Sequence, residues 1–259
     1  LCRTTKAAAE AEKSIVAIGR AKNPNFSLQV VACELGNLES VRQCAQVLVG
    51  LGVKYDHLIL NAGIFMVPEG KTPDGFEMHL GVNHFGHFLL THLIRKNNLL
   101  NDNARVVAVS SNAPAIWPGF DIKDLDWKSR PYSSTYAYGA SKTANILMMQ
   151  ELQRQFDAEG KGRLAFSVHP GFVRTKFSRE ATGLRQLLIV LFYPLYWAIT
   201  LSPLQGSQCT LYAATSPDIT KIGGAFFNNL RPAPTEADKK PELPGQFWKI
   251  SEERLGLRQ

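Results

Sequence analysis

Tyr138 and Lys142 stand four residues apart in the run Tyr138-Gly139-Ala140-Ser141-Lys142. In a helix this spacing puts both side chains on one face, about one turn from each other. An ammonium beside a phenol stabilises the phenolate and draws the phenol's acidity toward the pH at which it donates a proton. The same spacing also occurs on ordinary solvated helix faces. Chemistry therefore requires three further things of the chain: a second hydroxyl, a cofactor and a pocket.

The elements that must position the pair read as an alternation of strands and helices. Leu1-Cys2-Arg3 reads as a strand end, followed by an alanine-rich helix from Lys6 to about Ile18 that Thr4 or Thr5 caps. Phe26–Leu35 is apolar and β-prone, a strand with both faces largely covered. Asn37 then caps a helix with the stripe Leu38, Val41, Cys44, Ala45 and Leu48. His57–Leu60 reads as a short buried strand, Phe76 to about Lys96 as a long helix bent near Gly81, and Arg105–Ser110 as another buried strand. Beyond an irregular stretch from Asn112 to Ser134, the helix carrying Tyr138 and Lys142 runs to about Phe156. Leu164–Val168 returns as a strand, Leu204–Ser216 as a helix, Ala225–Phe227 as a last strand and Phe247–Leu255 as a terminal helix.

Such an order predicts a doubly wound α/β fold of three layers, a parallel sheet with helices on both sides. Chemistry in such sheets gathers at the carboxyl ends of the strands. Asn61-Ala62-Gly63, Ser110-Ser111 and Pro170-Gly171 each lie where a strand stops, so one rim is expected to collect them.

The 259 residues fit one domain, and 45% hydrophobic residues suffice for a sheet buried on both faces. The net charge of +7 is dispersed along the chain; it reads as a solubility feature, and no nucleic-acid partner is expected. Cys2, Cys33, Cys44 and Cys209 lack metal-ligand or CxxC spacing, which points to a reducing, intracellular compartment. His84 and His87 share a helical face, but no carboxylate or cysteine completes a ligand set, so no metal is expected.

Taken together, Asn61-Ala62-Gly63, Asn83 in Asn83-His84-Phe85-Gly86, Ser111 after Val109-Ser110, the Tyr138–Lys142 pair and Pro170-Gly171-Phe172-Val173-Arg174-Thr175 resemble the short-chain dehydrogenase/reductase family. Cys2-Arg3 with Lys6-Ala7, His169 before Pro170, and Gly223-Gly224-Ala225-Phe226-Phe227-Asn228-Asn229 are similar to its retinol-dehydrogenase branch and to the related oxidoreductase that carries WW domains. The resemblance implies an oxidoreductase in which Tyr138 is the general acid and, in reverse, the base. Ser111 holds the substrate oxygen, and Lys142 binds the nicotinamide ribose and lowers the Tyr138 pKa. Asn83 positions a relay water. Of the two serines, Ser111 fits the family pattern better than Ser110.

The same resemblance places Asn61, Ala62 and Gly63 beside the adenosine ribose, Glu34 with Leu35 at the adenine, Pro170 and Gly171 at a stiffened strand exit, and Val173 and Thr175 at the nicotinamide carboxamide. Glu34 stands where the family commonly has aspartate. Folds that prefer NAD put an acidic residue at the end of the second strand. Here Arg3 stands there, able to take a 2′-phosphate, and NADP is favoured over NAD. The first strand and the glycine-rich pyrophosphate turn of the family are missing from the sequence. The reading is therefore of an N-terminally incomplete domain, 1–259, that alone binds NADP poorly and folds poorly.

An insertion at about 172–203 contains the most apolar stretch, Gln186–Leu201, broken by Pro194 and short for a membrane span. A lid over a hydrophobic carbonyl or alcohol (retinoid, steroid or lipid aldehyde) is the first reading. A helix resting on the cytosolic face of a membrane is the second, and core or a homodimer surface the third. Two functions stay open: NADP-dependent hydride transfer, or a binding or regulatory protein that keeps the fold with impaired catalysis.

Overall fold

The computed structural model describes residues 1–174 and 200–258, with the side chains of Thr5, Lys6, Ala7 and Glu10 also outside the description. A helix can start where the sequence supplies acceptors for the free N–H groups of its first turn. Asn37 Oδ1 accepts from the amides of Glu39 and Ser40, opening α2 (Leu38–Gly50), and the five stripe residues of that helix are all buried. Before it, α1 spans Thr5–Lys22.

The sheet has five strands in chain order: β1 (Tyr55–Leu60), β2 (Leu100–Val109), β3 (Leu164–His169), β4 (Phe226–Asn228) and β5 (Arg231–Pro232). The pairings from β1 to β4 are parallel, and β5 returns antiparallel on β4. Between β1 and β2 run α3 (Met78–Leu80), a π-turn (Gly81–Phe85) and α4 (Gly86–Lys96). A short α5 (Ala113–Ile116) precedes α6 (Ser134–Glu159), which packs on β3 and β2. The opposite face is covered by α7 (Pro203–Thr215), whose Cys209 and Ala213 meet Val107, Phe166, Val168 and Phe227. The final helix, α8 (Leu243–Arg254), lies against α6 and begins four residues earlier than the sequence suggests.

Two expectations are corrected. Phe26–Leu35 is not a regular strand: among the described residues its only bridge is parallel, Cys2 to Ala32, with Cys2 N–H donating to Val31 O (3.1 Å) and Cys33 N–H to Cys2 O (2.9 Å). A ladder needs a partner of matching length, and Cys2 supplies a single residue. The chain there is extended with one face in the core, Val31, Cys33 and Leu35 buried and Ala32 exposed. Nor is β1 a buried strand; Leu60 is buried but His57 is exposed and Ile59 is 39% exposed. Among the described residues β1 pairs on its β2 side alone, which leaves it an edge.

The bend expected near Gly81 is a widened turn. Gly86 N–H reaches back five residues to Gly81 O, and a Cβ on Gly86 would run into the backbone carbonyl of Leu35. Within this segment the His87 ring donates from Nδ1 to Asn83 O at 3.0 Å.

Candidate active site

The strand ends bring the sequence motifs to one rim, since β1 stops before Asn61, β2 before Ser110 and β3 before Pro170. The two serines divide their work. Ser110 is buried and donates to Lys142 O at 2.8 Å, tying β2 to α6. Ser111 Oγ accepts from Ala113 N–H at 3.0 Å, and its hydroxyl lies near enough to the Tyr138 phenol to lower that group's pKa. Of the pair, Ser111 is thus the one at the phenol.

Tyr138 and Lys142 do share a face of α6, with Lys142 Nζ 5.6 Å from the Tyr138 ring centroid. Their electrostatics differ from the expectation. Burial raises the Tyr138 pKa above the ordinary phenol value, and the Ser111 hydrogen bond offsets this only in part. The Lys142 ammonium donates to Val109 O at 2.8 Å, and burial pushes its own pKa from 10.5 down to about 8. A lysine that is hard to keep charged, anchored to a carbonyl, lends less to a phenolate than a free ammonium would.

Asn83 cross-links the rim. Its Oδ1 accepts from Ile64 N–H at 2.8 Å, while its Nδ2 donates to Ile64 O at 3.0 Å and to Ser141 Oγ at 2.9 Å. The loop after β1 is so held to the π-turn and to α6. Gly63 sits against this link; a Cβ there would lie 2.8 Å from Asn83 Oδ1 and 3.6 Å from Lys142 Nζ. The glycine is needed for close approach to Asn83, a contact that spacing alone does not reveal.

Arg3 and Glu34 lie side by side, Nε to Oε2 at 3.7 Å, with side chains 77% and 41% exposed. Leu35 is buried under Gly86 and does not present its side chain to the rim. At the other end of the rim, Gly171 takes a positive φ of 82°. Val173 pairs with Leu201 in a parallel bridge, and Leu201 N–H donates to Phe172 O at 2.7 Å. The insertion therefore leaves and re-enters the fold at one point beside Pro170 and Gly171. Thr175 and the stretch from Gln186 as far as residue 199 lie outside the described residues.

His84 and His87 are packed in the interior. His84 Nε2 meets Ser251 Oγ at 3.1 Å, and burial lowers its pKa to about 3 and that of His87 to about 4. Among the described residues no group of three or more metal-ligating side chains occurs, and no helix is long and apolar enough to cross a membrane.

One group that motif reading passed over also borders Tyr138. Glu77 is a buried carboxylate joined to His79 and Tyr132, and the His79 ring lies edge-on to the Tyr138 ring at 6.2 Å between centroids. The signal available in the sequence was only a Glu and a His two apart before the predicted bend.

No family model matches the chain. Among curated proteins it is 32% identical to human retinol dehydrogenase 13 over 99% of this chain and 76% of that protein. It is 36% identical to mouse retinol dehydrogenase 14 over 98% and 76%. With human polyprenol dehydrogenase the identity is 33%, over 95% and 74%.

The chain belongs to the short-chain dehydrogenase/reductase family.

It is an oxidoreductase of that type, similar to its retinol dehydrogenases. Solved structures agree with the fold. A Mycobacterium paratuberculosis protein superposes with a TM-score of 0.69 at 33% identity, covering 97% of this chain and 81% of that one. A Burkholderia cenocepacia short-chain dehydrogenase in complex with NADP superposes with a TM-score of 0.57 at 21% identity, over 85% and 81%.

Proposed function

We propose that the protein transfers hydride between NADP(H) and a hydrophobic carbonyl/alcohol pair, with Tyr138, Ser111, Lys142 and Asn83 as its working residues. The observation that carries this is the placing of Ser111 beside the Tyr138 phenol, whose pKa it lowers, at the carboxyl rim of the sheet, with the Lys142 ammonium one turn away. Two neighbouring hydroxyls can both address one substrate oxygen.

The described residues suit the two ends of a dinucleotide. Exposed Arg3, beside Glu34, would take the 2′-phosphate and adenine end, which favours NADP over NAD. Asn61, Ala62 and Gly63 would line the adenosine ribose. Lys142 would hold the nicotinamide ribose and Val173 would meet the carboxamide, beside the stiffened strand exit at Pro170 and Gly171. The bound cofactor supplies or accepts the hydride. In reduction, negative charge grows on the carbonyl oxygen; Tyr138 gives its proton there while Ser111 donates a hydrogen bond to the same atom. A phenol with a raised pKa holds that proton firmly at neutral pH, so it waits as the acid until the oxygen becomes basic. Asn83 O, which has a second lone pair beside the His87 bond, is the group left to hold a relay water behind Lys142.

A hydrophobic substrate is favoured by the apolar insertion anchored at Phe172 and Leu201, and by relatives named for retinol and polyprenol. The same insertion would serve as a lid or rest on a membrane surface, or pair with a second copy.

The test is NADPH oxidation by the purified protein against retinal, long-chain aldehydes and steroid ketones, with Tyr138→Phe as control. Turnover with at least one class and a loss of 100-fold or more in the variant are expected. Equal rates for the two proteins would remove Tyr138 from the mechanism.

A further inference from the structure

Tyr138 is held on two sides by rings. Phe65 meets it edge-on with centroids 4.7 Å apart at 79°, and His79 lies at 6.2 Å and 72°. Both neighbours belong to one hydrogen-bonded unit. The loop after β1 is pinned on either side of Phe65, at Ile64 by Asn83 and at Val67 by His79, whose Nε2 accepts the Val67 N–H at 3.2 Å. Accepting there requires an unprotonated Nε2, which places the ring hydrogen on Nδ1, facing Glu77 Oε1 at 2.9 Å.

Glu77 in turn is fixed from every direction. Its two oxygens accept from the amides of His79 (3.0 Å) and Leu80 (2.7 Å), and Tyr132 OH donates to Oε1 at 3.1 Å. Burial would raise the pKa of such a carboxyl, but the hydrogen bonds from His79 and Leu80, with the charge of His79, outweigh it and hold the pKa below the ordinary value. The carboxyl is thereby biased toward its anionic form, and His79 is oriented by it.

We propose that Glu77, His79 and Tyr132 form a positioning network for Tyr138: Glu77 fixes the His79 ring, and His79 fixes the Val67 amide, so that Phe65 and His79 together hold the phenol ring at its reacting angle. This rests on Tyr138 being the proton donor. A buried carboxylate bonded to a fully buried histidine needs such a reason, because an apolar pair would fill the space without burying a charge. Displacement of a reacting group by about 1 Å can lower turnover on the order of 100-fold, so a network of this kind acts on kcat.

Two variants separate positioning from packing. His79→Gln places an acceptor near the Nε2 position and can keep the Val67 bond; His79→Asn keeps a donor near Nδ1 for Glu77 but loses Val67. Expected for carbonyl reduction with NADPH is a fall in kcat of tenfold or more in the Asn variant. The Gln variant should stay within about threefold of wild type, and KM for NADPH within twofold in both. Hydrogen exchange of the Val67 amide gives a readout independent of activity: protected in wild type and Gln, exchanging at least tenfold faster in Asn. Equal kcat in the two variants, a loss that tracks melting temperature alone, or equal Val67 protection in all three proteins overturns the proposal. A wild-type protein without turnover overturns the catalytic reading instead, and the exchange measurement still decides whether the network holds Val67.

Discussion

Replacing Lys142 with methionine should make this protein more stable and less active. Burial lowers the Lys142 pKa from 10.5 to about 8, so at neutral pH the folded state carries an ammonium it would rather lose. At about 1.4 kcal/mol per pKa unit, the difference amounts to about 3 kcal/mol of destabilisation. The sign follows from proton counting. Between pH 8 and 10.5 the unfolded chain binds more protons at this site than the folded one, so stability rises with pH across that window, and below pH 8 the full penalty applies.

Methionine has a similar length and no charge. It forfeits the 2.8 Å hydrogen bond to Val109 O, worth about 1–2 kcal/mol, and the net gain expected at pH 7 is about 1–2 kcal/mol. For a protein of this size that is a rise of roughly 2–8 °C in melting temperature. Thermal or urea unfolding of both proteins from pH 7 to 10 should show the gap closing as wild-type Lys142 deprotonates, while NADPH-dependent turnover is lost throughout. A methionine variant that melts below wild type at pH 7, with a gap that does not change with pH, would refute the argument that Lys142 is held charged against its surroundings.

Gly63→Ala should push on Asn83 Oδ1 at 2.8 Å, an atom already fixed by Ile64. A loss of about 1–3 kcal/mol in stability and a weakened rim are expected, and an unchanged melting temperature in calorimetry counts against the Asn83 cross-link. On the acid side, His84 and His87 are buried neutral with pKa values pushed from 6.5 down to about 3 and about 4. The unfolded chain takes up those protons first, so stability should fall as pH drops from 6.5 toward 4, each histidine adding up to about 1.4 kcal/mol per pH unit. His84→Phe, set among Phe85, Phe88 and Phe247, should flatten that slope in urea titrations; an identical slope argues against a buried neutral His84.

The fold and the main chemistry were legible because they depend on local spacing and on order along the chain. A spacing of four from Tyr138 to Lys142 places both on one helical face whatever surrounds them, and strand–helix alternation dictates the parallel sheet that brings Asn61, Ser111 and Pro170 to one rim. The Asn37 cap and the five-residue stripe behind it were equally plain. Phe26–Leu35 misled because an apolar, β-prone run cannot say whether a partner strand lies alongside; Cys2 pairs with Ala32 and nothing longer does.

Tertiary structure alone decided the electrostatics and the supports. Whether Lys142 lowers the Tyr138 pKa turns on where its ammonium points and how dry its surroundings are, and Val109 O together with burial weighs against the expectation. Likewise Asn83 bridges residues 19 and 58 positions away, and Tyr132 reaches Glu77 across 55. The sequence by itself determined which groups could do the chemistry, because residue type and helical or strand period are local properties. Their acidity and orientation belong to the packed interior, where desolvation and hydrogen bonds between distant segments set the energies.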